Sequence, residues 1–288
     1  MAYRLLALNI DGTLLNSQGR LTRETKEAIE YVKNKGVYIT LVTNRHFLSA
    51  KKIAKALRVQ SSLLITHSGG FIGSTVDKPI FEKRISEEKT FNLVQVLENF
   101  DCHIRILHER FSVANRVKLQ GNAVAKTVLR SGEPLFYPIQ FVDSLGDTLR
   151  DEPVATPKIE VYFSSEKEKE QAERTIASAF QGTEWFTYPN EDRCYITAGG
   201  VTKASGLRLV AQHLSIPMNE VVVIGNYFDD IEMVEQAGMG VAMGHSPNEL
   251  KRVAGWVTRS NSENGVAYMV KELFRKQQRI GYLYHLNS

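Results

Sequence analysis

Residues 8–15, Leu8-Asn9-Ile10-Asp11-Gly12-Thr13-Leu14-Leu15, decide how the rest of this chain is read. They continue a short apolar run, Leu5-Leu6-Ala7-Leu8, that reads as a buried strand. Asn9 and Asp11 stand two apart where that strand gives way to a loop, so both side chains can address one ligand. Gly12-Thr13 makes the turn compact. A strand ending in paired polar groups sets the expectation of a sheet with a site at one of its ends.

The flanking sequence supports that expectation. Thr22 is placed to cap a helix running to about Lys35, with Ala28, Ile29 and Val32 facing inward and Gly36 ending it. A β-branched strand follows at 37–42, a helix at 47–57, a strand at 63–66 and a Ser68-Gly69-Gly70 turn. Strands alternating with helices across short loops predict a parallel sheet covered on both faces. Near residue 84 the rhythm changes. Helix patterns at 87–100, 117–130 and 167–180 mix with a hairpin at 103–109 and 111–115 and strands at 158–164, 185–188 and 193–197. Pro134, Pro138, Pro153 and Pro157 interrupt the middle of this stretch, which reads as a separate α+β domain inserted into the first. The α/β rhythm resumes with a helix at 203–214, a strand at 221–224, a helix at 231–237, strands at 240–243 and 256–258, and a last helix from 266. Arg275-Lys276-Gln277-Gln278-Arg279 is placed at the end of that helix, where positive charge suits the dipole.

The 288 residues are enough for two domains of ~100–200 residues each. With 43% hydrophobic and 24% charged residues, the chain has the composition of an ordinary globular protein. A formal charge of +4, without a basic stripe interleaved with aromatics, argues against a nucleic-acid partner. No apolar stretch is long enough to span a membrane, and the interrupted N-terminal run is too short for a signal peptide. Cys102 and Cys194 lack metal-ligand spacing and read as reduced thiols, so a cytoplasmic setting is expected.

In an open parallel sheet, ligands gather at the carboxyl ends of the strands. Four polar clusters fall at such ends: Asn9 with Asp11, Thr43-Asn44-Arg45, Lys203 at a helix start, and Asn226 with Asp229 and Asp230. Singly, each has an ordinary structural reading. Thr43 suits the cap of the next helix, and Asn226 or Asp229 the cap of the helix at 231–237. Asp230 suits that helix's positive end. Lys203 is the exception. A lysine in the first turn opposes the helix dipole and calls for an anion nearby, either acidic side chains or a phosphate.

In order and spacing the four clusters resemble the motifs of the haloacid dehalogenase superfamily of phosphatases, the first of which reads Asp-x-Asp-Gly-Thr. Ala237-Gly238-Met239-Gly240-Val241-Ala242-Met243-Gly244, and Val257-Thr258-Arg259-Ser260-Asn261 with Gly265-Val266-Ala267, are similar to its Cof-type subfamily. The resemblance covers essentially the whole chain. It implies a doubly wound parallel, Rossmann-like α/β core from residues 1–84 and 198–288, with an α+β cap from 85–197. The implied reaction passes through an aspartyl-phosphate at position 9, with Asp11 as acid and base and Lys203 beside them. The phosphate would lie on Gly12, Thr43, Asn44 and Lys203. Mg²⁺ would be held at Asn9, Asp11, Asn226, Asp229 and Asp230.

This chain departs from that pattern. Asn9 stands at the nucleophile position, and a neutral amide cannot form the acyl-phosphate. Asn226 stands at a metal-ligand position, Asn44 at the glycine of the second motif, and Asp229 where Asn is usual. His67-Ser68-Gly69-Gly70 lacks the usual Asn-Gly pair, and His245 replaces an Asn. Ile10 after Asn9 disfavours repair by deamidation. Two readings stay open: a Mg²⁺-dependent hydrolase of small phosphorylated metabolites such as sugar or nucleotide phosphates, and a pseudophosphatase that binds them without turnover. Weak metal binding is expected from either. In the inserted region, His103 and Arg105 share one face of a strand and Ile104 and Ile106 the other, and the basic face is expected in solvent.

Overall fold

The computed structural model describes residues 2–116 and 139–280, which form two compact units, 2–80 with 202–280 and 81–116 with 139–201. The helix pattern at 117–130, with Pro134 and Pro138, lies outside the described residues. Among the described residues, no helix is long and apolar enough to cross a membrane.

The first unit carries an eight-stranded sheet. Its central strand, β1 (Leu5–Asn9), pairs in parallel with β2 (Tyr38–Val42) on one side and with β12 (Val221–Gly225) on the other. From β2 the sheet continues through β3 (Leu64–Thr66), β4 (Phe71–Gly73) and β5 (Pro79–Glu82). From β12 it continues through β13 (Met239–Ala242) and β14 (Trp256–Val257). Every residue of β1, β2 and β12 is buried, as expected of strands covered on both faces. Leu6, Leu8, Ile39, Leu41, Val222 and Ile224 pack on helices α1 (Arg23–Asn34), α2 (Phe47–Ala56) and α9 (Gly265–Phe274). The remaining helices of this unit are α6 (Lys203–His213), α7 (Ile231–Gln236) and α8 (Asn248–Val253).

Two local details add to the expected architecture. β4 runs antiparallel to β3, because the turn between them is too short for the crossover that a parallel neighbour needs. The last helix ends at Phe274 with Arg275 as its C-cap, so Lys276–Arg279 lie just past its carboxyl end.

The chain runs from β1 outward through β2 and β3, then restarts at β12 on β1's other side and runs the opposite way. β1 and β12 therefore meet where the winding reverses, the place at which open α/β sheets gather their ligands.

In the second unit the sheet order is β10 (Thr183–Thr187), β11 (Arg193–Ala198), β9 (Lys158–Phe163), β6 (Cys102–Leu107), β7 (Ser112–Asn115) and β8 (Ile139–Val142). All neighbours are antiparallel except β7 and β8. Ile104, Ile106, Ile159, Val161, Phe163 and Ile196 form one apolar face against helices α3 (Glu87–Leu97), α4 (Leu145–Asp151) and α5 (Glu166–Ala179). β8 and α4 fall in the proline-interrupted stretch, where no period is legible. The opposite face holds His103, Arg105, Lys158, Glu160 and Tyr162, and His103, Arg105 and Lys158 are buried rather than in solvent. Their charges are met on the sheet itself. Lys158 Nζ lies 2.8 Å from Glu160 Oε1, and Glu160 sits opposite Arg105 across the β6–β9 pair.

Candidate functional site

Asn9 is the last residue of β1, and the chain then makes one wide turn over Ile10–Leu14. Gly12 takes φ +68° there, and a Cβ on it would lie 2.3 Å from Asn226 Nδ2. The position therefore needs glycine for its backbone and for its neighbour. Thr43-Asn44-Arg45 follow β2 directly. His46, not Thr43, caps α2, accepting from the Ser49 amide through Nδ1 at 3.2 Å. β12 ends at Gly225, and a short turn over Phe228–Asp230 brings the Asp230 carboxylate back under the strand end. Its Oδ2 accepts from the amides of Asn226 at 2.8 Å and Tyr227 at 3.2 Å. Neither Asn226 nor Asp229 is the residue preceding α7; Asp230 is. Lys203 opens α6, whose start is capped by Thr202 accepting from the Ser205 amide at 3.0 Å.

These elements bring Asn9, Asn226 and Asp230 into direct contact. Asn9 Nδ2 donates to Asn226 Oδ1 at 2.7 Å, to the Asp11 carbonyl at 3.1 Å and to Asp230 Oδ2 at 3.2 Å. Asn9 Oδ1 accepts from the Ile10 amide at 2.9 Å, which fixes the amide's orientation. Turned over, it would set its NH₂ against an N–H and its oxygen against three acceptors. Asn226 Oδ1 also accepts from Thr13 Oγ1 at 3.0 Å.

A second chain of contacts runs through Lys203. Its ammonium lies 2.7 Å from Asp230 Oδ1 and 3.0 Å from Asp229 Oδ2. Burial by itself would lower Lys203, but the carboxylates of Asp229 and Asp230 outweigh it and hold the ammonium above its ordinary value. Burial raises Asp230, with Lys203 opposing. The anion that a first-turn lysine calls for is supplied here by two acidic side chains. Asn44 Nδ2 donates to Asp229 Oδ2 at 2.6 Å, while Asn44 Oδ1 accepts from Ser68 Oγ at 2.8 Å. Ser68 reaches this place from a left-handed backbone, φ +59°, next to His67 at +51°.

Asp11 shares only its backbone carbonyl with that network. Its side chain points to Arg45, which donates Nε to Oδ2 at 2.7 Å and Nη2 to Oδ1 at 2.6 Å. Thr43 is fully buried, and its Oγ1 accepts from the Arg45 amide at 3.2 Å. His245 is held below its ordinary value chiefly by burial. Arg45 was placed in a strand-end cluster from the sequence but given no role there, and Ser68 and Thr13 were not singled out as site residues. For Arg45 and Ser68 the available signal was position, since each follows the carboxyl end of a strand one or two places from β1.

The geometry tests whether Mg²⁺ suits the residues implied for it. That ion takes oxygen ligands at about 2.0–2.1 Å in near-octahedral order. Asn226 Oδ1 and Asp230 Oδ2 both face an N–H₂ group, Asn9 Nδ2, which occupies the space a shared cation would need. Asp230 Oδ1 is engaged by an ammonium. The donor set does not fit Mg²⁺.

Residues 6–270 match the family model described as haloacid dehalogenase-like hydrolase. The chain is 53% identical over 283 residues to the stress response protein YhaX of Bacillus subtilis, covering 98% of this chain and 97% of that one. It is 28% identical over 274 residues to the 5-amino-6-(5-phospho-D-ribitylamino)uracil phosphatase YcsE of the same organism, covering 93% and 94%. Its fold matches the crystal structure of a haloacid dehalogenase-like hydrolase from Bacteroides thetaiotaomicron with a TM-score of 0.81 at 22% identity, covering 94% of this chain and 100% of that one.

Proposed function

The chain belongs to the haloacid dehalogenase-like hydrolases, of the Cof type, and from that premise we propose that it binds small phosphomonoesters while turnover through an aspartyl-phosphate is disabled at residue 9. The observation that carries this reading is the Asn9 amide bonded to Asn226 Oδ1 at 2.7 Å. An amide oxygen is a poor nucleophile toward phosphorus, and this one already accepts from the Ile10 amide. Gly12, Thr43, Asn44 and Lys203 are the residues assigned to the phosphate. A relative named for a phosphorylated ribityl-pyrimidine supports the class of ligand, a small sugar or nucleotide phosphate. The setting assigned is the cytoplasm, in keeping with the two free thiols, Cys102 and Cys194.

The size of the defect follows from catalytic groups that act as a unit. Losing a nucleophile leaves on the order of 10³–10⁴-fold over water, from binding and electrostatics alone. A second reading, slow direct attack by water with Asp11 as base, has one observation in its favour: Arg45 holds the Asp11 carboxylate in a single orientation. Phosphate release from a panel of small phosphomonoesters, with and without Mg²⁺, tests both. The binding reading expects saturable binding and no release above background. Robust release by the native chain would overturn it, and loss of that release in Asp11→Asn would establish the second.

A further inference from the structure

Two substitutions in one contact have an electrostatic consequence beyond the loss of a nucleophile. The bonded site holds three carboxylates, Asp11, Asp229 and Asp230, against two cations, Arg45 and Lys203. It therefore carries one net negative charge. With aspartates at positions 9 and 226, as in an Asn9→Asp/Asn226→Asp variant, the same site would carry three. One divalent cation would return that to one. Two carboxylate-to-amide changes thus remove the charge that one Mg²⁺ neutralises.

The geometry matches the charge count. Were positions 9 and 226 carboxylates, a cation would be needed to hold them beside Asp230. Here Asn9 Nδ2 draws together the same set, bonding Asn226 Oδ1 at 2.7 Å and Asp230 Oδ2 at 3.2 Å. Thr13 Oγ1 steadies the Asn226 oxygen from a third side. Gly12, whose Cβ would lie 2.3 Å from Asn226 Nδ2, leaves room for that amide. Asn9 Nδ2, Asn226 Oδ1 and Asp230 Oδ2 are thereby satisfied by one another.

We infer that the Asn9–Asn226 amide pair takes the place of a divalent cation in this site, so that phosphate is bound there without metal. The inference rests on the phosphate-binding reading above and adds how that binding is achieved. The pair ties the loops after β1 and β12 to one another. With two carboxylates at that separation, three anionic groups would crowd one another, and the same loops would need a cation to close.

Inorganic phosphate is the probe, titrated by calorimetry into the full native chain and into Asn9→Asp/Asn226→Asp, each in excess EDTA and in excess Mg²⁺. The native chain should bind phosphate with an affinity that changes less than about twofold between the two conditions. The double variant should bind at least about tenfold more weakly in EDTA than in Mg²⁺, the scale expected when added like charges go uncompensated. Melting temperature gives a second readout, unmoved by EDTA in the native chain and lowered by it in the variant. A native chain that gains tenfold or more from Mg²⁺ would overturn the inference and leave the binding reading standing. A double variant indifferent to EDTA by both readouts would overturn it as well. Absence of phosphate binding by the native chain in both conditions would sink the binding reading itself. If the variant fails to fold, the two native arms still decide.

Discussion

Arg45 grips Asp11 with both arms of its guanidinium, Nε to Oδ2 at 2.7 Å and Nη2 to Oδ1 at 2.6 Å, and it does so from a buried position onto a half-exposed carboxylate. Its Nη1 also donates to Ser49 Oγ at 3.0 Å on α2, which anchors the fork. Lysine cannot reproduce this two-point hold. In an Asn9→Asp background, where turnover can be read, Arg45→Lys should lower kcat about tenfold with KM little changed, because it loosens a reacting group. A rise in KM at constant kcat would show instead that Arg45 holds the substrate.

Placing an aspartate at position 9 is the direct test of the proposed role of that position. Asn9→Asp should create or greatly raise Mg²⁺-dependent hydrolysis of small phosphomonoesters, and adding Asn226→Asp should raise it further by more than the product of the single effects. A phosphorylated residue 9 should be trappable in these variants and not in the native chain. Native turnover left intact by Asn9→Ala would show a mechanism that does not use position 9.

Lys203 neutralises two buried or nearly buried acids, so its removal strands both. Lys203→Met should cost ~3–5 kcal/mol of stability at neutral pH, the range for leaving buried charge uncompensated. Asp230 is raised by burial even with Lys203 present. A carboxyl raised in the folded state binds its proton more readily there than in the unfolded chain, so falling pH favours folding. The deficit of Lys203→Met should therefore shrink between pH 7 and pH 5 in urea denaturation. A deficit that grows on acidification would place the lost stability elsewhere.

His103 in the second unit makes the opposite prediction. Burial, with Arg105 adding to it, lowers His103 from 6.5 to about 4, while Asn115 and Glu160 oppose. The unfolded chain then binds the proton first, and stability from this group is lost as pH falls from 6.5 toward 4. The full shift corresponds to about 3 kcal/mol. His103→Phe, which keeps a ring beside Phe141 and Tyr162, should lose less stability over that interval than the native chain. Parallel pH profiles by denaturant titration would mean that the imidazole is not held neutral in the folded state.

Much of the architecture was legible because it is written locally. Apolar and β-branched runs and a cap residue such as Thr22 specify strands and helices from neighbours a few places away. The clusters at 9–11, 43–45 and 226–230 were placed at strand ends for the same reason, and the dipole argument found that Lys203 needs an anion. What escaped that reading lacked a local signature. β8 and α4 are short and sit among prolines, β4 reverses direction because of one tight turn, and the polar face of β6 is buried although its alternation looks like that of a half-exposed strand.

The amino-acid sequence by itself determined which chemical groups this site can contain: amides at 9, 44 and 226, acids at 11, 229 and 230, a lysine at 203. It also determined that each follows a strand or opens a helix, since those assignments rest on interactions within a few residues. Only the tertiary structure decided what each group does with its hydrogen bonds. Asn9 meets Asn226 across 217 positions of chain, and Asp11 meets Arg45 across 34, because β12 and β2 flank β1 in the sheet. A side chain's type sets whether it donates or accepts, but its partner is set by strand order and loop course. Here that choice turned an amide toward the oxygens that a cation would otherwise share.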